Sequence, residues 1–197
     1  TKLLAERLTT SANFYKGKRK TVFSCVRFGN VLGSRGSVVP IFRKQIEAGG
    51  PVTVTSQNMT RFVMSISEAV TLILRAAKMA QGGEVFILKM PAIKIIDLAE
   101  VMIEELAQKN GYNSKEIGLK ITGNRAGEKL HEELLTEDET MTTYEKNGIL
   151  VMTSLLETQK NQHLKREKNE LKKYTSNNAR LLTNAEIKKL LIETGLI

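Results

Sequence analysis

The sequence holds one cysteine, and no apolar run in it approaches the roughly 20 residues that a membrane-spanning helix needs. Neither of its two histidines has a cysteine or carboxylate partner at metal-ligand spacing. Each shortage removes a class of function. Cys25 cannot form an intramolecular disulfide, and within Val-Phe-Ser-Cys-Val-Arg-Phe it reads as a buried, inert thiol. The opening Thr-Lys-Leu-Leu-Ala-Glu-Arg is too polar for a signal peptide, so the cytoplasm is the simplest location. His131 and His163 lie far apart, which argues against zinc and leaves the expected metal set empty. The formal charge of +9 invites nucleic acid as a partner, but much of the excess falls in Lys160 to Lys173, where no aromatic residue interleaves to stack on bases. That run reads as a solvated helix face or an excursion.

What is present describes a folded α/β protein. Hydrophobic residues make up 41% and charged residues 26% of 197, the balance of a globular domain. The length suits one core, or one lobe with part of another. The first residue is Thr, and Leu3, Leu4 and Leu8 already have helical spacing, so the chain is expected to begin inside an element. A strand is expected over 21–28. A helix follows from Val38 to Ala48 with Pro40 in its first turn, then a strand over 52–55 with alternating faces. Residues 67–80 predict a helix capped by Ser67, with Ala69, Val70, Leu72, Ile73 and Leu74 on its apolar side. Further strands are expected at 84–89, 119–123 and 148–152, and helices at 95–108 and after the capping box Thr-Asn-Ala-Glu at 183–186. Strands alternating with helices favour α/β architecture. No internal repeat occurs.

Three clusters place polar residues where strands end. In Arg-Phe-Gly-Asn-Val-Leu-Gly-Ser-Arg-Gly-Ser, residues 27–37, Asn30 both donates and accepts, the glycines let backbone amides approach a phosphate, and Arg35 offers a planar fork of donors. A plain connecting turn is the competing reading. Met-Thr-Arg-Phe at 59–62 puts Arg61 between a short strand and a helix, as a ligand contact or as a surface arginine at a turn. Gly-Asn-Arg-Ala-Gly-Glu-Lys-Leu-His-Glu at 123–132 sets Arg125 and Glu128 three residues apart at an expected helix entrance. They would suit a pyrophosphate and a ribose diol, or pair with each other, or Glu128 would serve the helix dipole.

These runs, with Gly-Gly-Pro-Val-Thr-Val-Thr at 49–55 and Gly-Gly-Glu-Val-Phe-Ile-Leu-Lys-Met-Pro at 82–91, resemble in order the UDP-N-acetylglucosamine 4,6-dehydratases and related capsular-polysaccharide epimerases. These are extended short-chain dehydrogenases/reductases. The match extends from Thr1 to about Glu139, with an echo in Tyr-Thr-Ser-Asn at 174–177. The resemblance implies the C-terminal part of a Rossmann-type enzyme. Residues 1–36 would be the distal part of the NADP-binding domain, and 37–197 mainly a UDP-sugar lobe, with 84–108 returning to the Rossmann sheet. It implies Lys2 as the catalytic lysine that binds the nicotinamide ribose, and Val31 beside the nicotinamide. Asn30, Val38, Val52, Val54, Arg61, Arg125 and Glu128 become UDP-sugar contacts, with Val52 and Val54 flanking the uracil. The cofactor would be NADP, with NAD as the alternative, and the full-length enzyme a homo-oligomer. Ala126 stands where the family usually has proline. The glycine-rich fingerprint, the tyrosine and the residues that handle the sugar protons are expected upstream of residue 1, so this chain alone is expected to be inactive. The rival readings are a UDP-sugar 4-epimerase and a catalytically inactive UDP-binding module.

Overall fold

The computed structural model describes residues 1–153 and 171–197. Residues 160–170 of the lysine-rich run, His163 among them, lie outside the described residues. In chain order the elements are α1 (Lys2–Tyr15), β1 (Cys25–Arg27), β2 (Asn30–Val31), α2 (Val38–Glu47), β3 (Val52–Val54), β4 (Thr60–Met64), α3 (Ile66–Met79) and β5 (Val85–Leu88). After these come β6 (Ala92–Lys94), α4 (Ile95–Leu106), β7 (Leu119–Ile121), β8 (Glu133–Leu135), α5 (Glu137–Thr140), β9 (Thr143–Lys146), β10 (Ile149–Met152), β11 (Tyr174–Thr175) and α6 (Asn184–Glu193). Among the described residues no helix is long and apolar enough to cross a membrane. The chain divides into two units, each assembled from three separate stretches. Thr1–Phe28, Ser67–Lys89 and Glu133–Tyr174 form unit 1, and Gly29–Ile66, Met90–Glu132 and Thr175–Ile197 form unit 2.

Unit 1 is built on the sheet β1-β5-β10-β9. β1 and β5 run parallel with Arg27 opposite Ile87, while β10 is antiparallel to both its neighbours. α3 lays Ala69, Leu72 and Ala76 inward at the i, i+3, i+7 spacing of one helical face, and Leu72 and Ala76 join Phe86, Ile149 and Val151 in the core. Two expectations change here. α3 begins at Ile66, which puts Ser67 inside the first turn instead of at the cap. Val70, Ile73 and Leu74 are exposed, because an advance of about 100° per residue carries them to the other flank. Leu3, Leu4 and Leu8 of α1 are exposed as well. α1 meets its unit through polar groups: Asn13 donates to the Phe23 carbonyl at 2.6 Å and accepts from the Phe23 amide at 3.1 Å.

Glu6 of α1 takes part in a second polar contact. Arg27 donates Nε and Nη2 to Glu6, both at 2.7 Å, Nη1 and Nη2 to Glu139 at 2.9 and 2.8 Å, and Nη1 to the Leu134 carbonyl at 2.9 Å. All five N–H groups of the guanidinium are therefore committed. The Glu139 carboxylate also accepts the Thr136 amide as part of the capping box that starts α5. Hydrogen bonding from Arg27, reinforced by Thr136 and opposed by burial, lowers the Glu139 pKa to about 2. Burial, helped by Glu6, pushes the half-buried Cys25 thiol up.

Unit 2 carries the larger apolar core. α4 is buried on most of its circumference through Ile95, Leu98, Ala99, Val101, Met102, Ile103 and Leu106, α2 adds Val39, Phe42 and Ile46, and α6 adds Ile187 and Leu191. Each large aliphatic side chain so buried contributes roughly 1.5–3 kcal/mol. Pro40 sits in the first turn of α2, where no helical N–H bond is needed. Thr183 and Glu186 form the capping box of α6. β2 pairs parallel with β4, β4 antiparallel with β6, and β3 parallel with β7.

Two further expectations are corrected in this unit. Arg61 lies within β4, not between a strand and a helix. Residues 125–132 do not open a helix. The Glu128 amide closes a turn onto the Arg125 carbonyl at 3.0 Å, and the chain then runs on without helical structure to β8. The cause is competition for carbonyls: Leu130 O accepts the Thr60 amide, while Lys129 O and Leu130 O accept the Arg61 guanidinium. With those acceptors taken by β4, no dipole is left for Glu128 to serve.

Candidate functional site

A cavity of about 420 Å³ opens within unit 2, and it begins where β2 meets β4. Asn30 pairs with Val63 and Val31 with Met64. The approach is close enough to require glycine before Asn30, since a Cβ on Gly29 would stand 2.4 Å from Phe62 Cβ and 2.8 Å from the Phe62 backbone. Asn30 is thereby held at the cavity wall with its side chain exposed, and among the described residues its side-chain amide makes no hydrogen bond.

The next wall is the start of α2. Ser37 is its N-cap residue, yet the hydroxyl caps nothing and is buried without a partner. Ser34, Arg35 and Gly36 line the cavity beside it. Free backbone amides at a helix start, the positive end of the helix dipole and a guanidinium together favour an anion. Opposite them lies β3. Val54 reaches the cavity, while Val52 is wholly buried in the core and does not line it. Thr53 lines the cavity instead, steadied by Gln45, which donates to its hydroxyl at 2.7 Å and accepts its amide at 3.0 Å.

Arg61 and Glu128 close the site. Arg61 donates Nη1 to Thr60 O at 2.8 Å and Leu130 O at 3.1 Å, and Nη2 to Lys129 O at 2.8 Å. Its carboxylate neighbours stand off, Glu128 at 3.9 Å from Nη2 and Glu132 at 3.9 Å from Nε. The Nε–H and one Nη2–H thus remain able to meet an anionic oxygen. Glu128 accepts weakly from the Thr55 hydroxyl and the Arg125 amide, both at 3.4 Å, which leaves most of its acceptor capacity available.

The structure therefore brings Asn30, Val31, Val38, Val54, Arg61 and Glu128 to one cavity. Val52 does not reach it. Arg125 is exposed and off the wall, because the turn points its backbone amide, not its side chain, at Glu128. Lys2 belongs to unit 1, exposed at the start of α1. Ser34, Ser37, Thr53 and Thr55 were not singled out from the sequence. For Ser37 the signal was available, a serine directly before an apolar run with proline in the first turn. Unit 1 has a wider hollow of about 550 Å³, but the carboxylates of Glu6, Asp138 and Glu139 outnumber the Arg7 guanidinium on its wall, which disfavours an anionic ligand. Among the described residues no group of His, Cys, Asp or Glu is placed to hold a metal.

Among the described residues, Gly29 and Gly33 form no cradle for a dinucleotide. The Gly29 amide donates to Met90 Sδ at 3.2 Å, and Gly33 is packed against Leu196, so neither presents its backbone to a pyrophosphate.

A family model described as "Polysaccharide biosynthesis protein" matches residues 1–154. The chain belongs to that family. It is 54% identical over 98% of its length to the uncharacterized membrane protein MJ1061 of Methanocaldococcus jannaschii, covering 56% of that protein. It is 42% identical over 74% of its length to the UDP-N-acetylglucosamine 4,6-dehydratase (inverting) of Campylobacter jejuni serotype O:2, covering 40% of it. It is 33% identical over 97% of its length to the UDP-glucose 4-epimerase of Rickettsia typhi, covering 55% of it. Among solved structures, that of Pen from Bacillus thuringiensis superposes with a TM-score of 0.87 at 41% identity, over 99% of this chain and 57% of that one. The chain's relatives thus include both a dehydratase and an epimerase, and this chain spans about half the length of the curated relatives it matches.

Proposed function

We propose that unit 2 binds the nucleoside diphosphate of a UDP-sugar and holds the sugar for 4,6-dehydration of UDP-N-acetylglucosamine. The observation that carries this is the convergence of Asn30, Arg61, Glu128 and the start of α2 on one cavity. The uncommitted Nε–H and Nη2–H of Arg61 and the unpartnered Ser37 hydroxyl suit the diphosphate oxygens. Glu128, an acceptor with little claimed of it, suits the ribose hydroxyls. Val54 offers an apolar surface for the base, and Asn30 a donor and acceptor for the sugar. The contribution to rate is positional, since fixing a reactant against its reaction partner removes the entropy of a bimolecular encounter.

The net reaction converts C4 of the sugar to a ketone, leaves C6 without its hydroxyl and releases one water. The full-length enzyme would need a nicotinamide cofactor, NADP or NAD, to carry the hydride. A second reading, 4-epimerisation, is favoured by the 33% identity to the UDP-glucose 4-epimerase along nearly the whole chain. NMR of products from full-length protein and UDP-N-acetylglucosamine separates the two. Loss of the C6 hydroxyl supports dehydration; its retention with inversion at C4 supports epimerisation. Calorimetry of the 197-residue chain tests the binding step by itself: UDP should bind, and the absence of heat at millimolar UDP would refute the reading.

A further inference from the structure

Three sequence runs meet at a buried hydroxyl pair on the far side of β4 from the cavity. Thr60 of Met-Thr-Arg-Phe and Ser176 of Tyr-Thr-Ser-Asn are 4% and 0% exposed, and their hydroxyl oxygens stand 2.7 Å apart. His131 of Lys-Leu-His-Glu brings Nδ1 to 2.8 Å from Thr60 Oγ1. The Glu132 amide donates to Ser176 Oγ at 2.9 Å, the Ser176 amide to Glu132 O at 2.8 Å, and Ser176 Oγ lies 3.1 Å from Thr60 O.

Counting hydrogens leaves two arrangements, and each is fully satisfied. In one, Ser176 donates to Thr60 O, Thr60 donates to Ser176 Oγ, and His131 donates from Nδ1. In the other, Ser176 donates to Thr60 Oγ1, and Thr60 donates to His131 Nδ1. Either way the pair bolts β4 to residues 131 and 132, beside the backbone bond from Thr60 N to Leu130 O. That clamp fixes the Lys129 and Leu130 carbonyls on which the Arg61 guanidinium rests, together with the turn that carries Glu128. None of the three side chains lines the cavity.

From this geometry we infer that Thr60, Ser176 and His131 are positioning residues, which set the Arg61 and Glu128 side chains at the spacing a nucleoside diphosphate requires. The inference rests on the nucleotide reading of the cavity for its functional consequence, while the positioning of Arg61 is measurable without ligand. Buried hydroxyls in one network act as a unit, so removing one is expected to undo most of what the network does.

The test uses the 197-residue chain, with UDP titrated by calorimetry and the Arg61 Nε–H resonance followed by NMR in the ligand-free protein. Thr60→Val keeps the shape and removes the hydroxyl, Thr60→Ser keeps the hydroxyl, and Ser176→Ala removes its partner. Thr60→Val and Ser176→Ala should each weaken UDP about tenfold and shift or broaden the Arg61 signal. The double variant should be little worse than either single one, and Thr60→Ser should stay within about twofold of the parent with the signal unmoved. Should Ser176→Ala fail to fold, the half-buried His131→Ala carries the same test, with about a threefold loss and a moved signal expected. An unmoved Arg61 signal in Thr60→Val, or equal losses in Thr60→Ser and Thr60→Val, overturns the inference. If the parent chain binds no UDP while the signal still moves with the hydroxyl, the nucleotide reading fails and the clamp stands.

Discussion

Arg27 in unit 1 and Arg61 in unit 2 sit on short strands, and each has two glutamates beside it, yet they do different work. Arg27 touches its carboxylates at 2.7–2.9 Å and commits all five N–H groups. Arg61 rests three of its N–H groups on backbone carbonyls and keeps its glutamates at 3.9 Å. The side chains are about equally shielded, at 16% and 13% exposure, so burial does not distinguish a structural lock from a ligand contact. The distinction lies in which acceptors are already in contact. A guanidinium saturated by two close carboxylates has no N–H left for a phosphate, whereas one propped on backbone carbonyls with its carboxylates at 3.9 Å retains donors.

Breaking the lock should produce the largest effect. Arg27→Met leaves the half-buried Glu6 and Glu139 without their cation, so chemical denaturation should show a loss of about 3 kcal/mol or somewhat more in stability. UDP affinity of the folded fraction should be unchanged.

Acid gives the next largest effect, through Glu139 of unit 1. Glu139 titrates at about 2 in the folded protein against an ordinary value of 4.5, so its contribution is complete above about 4.5 and disappears as pH falls toward 2. Denaturation at a series of pH values should show a decline on the order of 2–3 kcal/mol across that window, discounted for partial exposure. Glu139→Gln should flatten the curve.

Arg61→Met sharpens the contrast by reversing the outcome. UDP affinity should fall about 30- to 100-fold, in line with a charge-assisted contact of about 2–3 kcal/mol, while stability falls by about 1 kcal/mol. A third arginine sets the floor. Arg125 is exposed and away from the cavity wall, so Arg125→Ala should change stability by less than about 0.5 kcal/mol and UDP affinity by less than about threefold.

Much of this was legible in the sequence wherever periodicity was strong. α2, α4 and α6 and the strand at 52–54 stand where apolar spacing and capping put them. α5 has the same Thr-x-x-Glu signature as α6 and was equally readable. β4 was hidden because four of its five residues are buried, which erases the alternation that marks a half-exposed strand. The segment after Glu128 departs from its helical appearance because the side chain and amide of a distant strand capture its carbonyls, a tertiary effect that no local pattern records. Arg125 and Val52 stand off the cavity wall for a related reason. Spacing in the chain tells which residues are neighbours, but turn geometry and the face of β3 decide which side chains reach the cavity. The interleaving of the two units from six stretches likewise leaves no local trace.

Chemical-shift mapping of the 197-residue chain during a UDP titration tests the central claim most directly. Shifts concentrated at Asn30, Ser37, Thr55, Arg61 and Glu128, with Glu6, Arg27 and Glu139 unmoved, are the predicted result. A titration that perturbs the unit 1 hollow around Glu6 and Asp138 and leaves Arg61 and Glu128 untouched would contradict it.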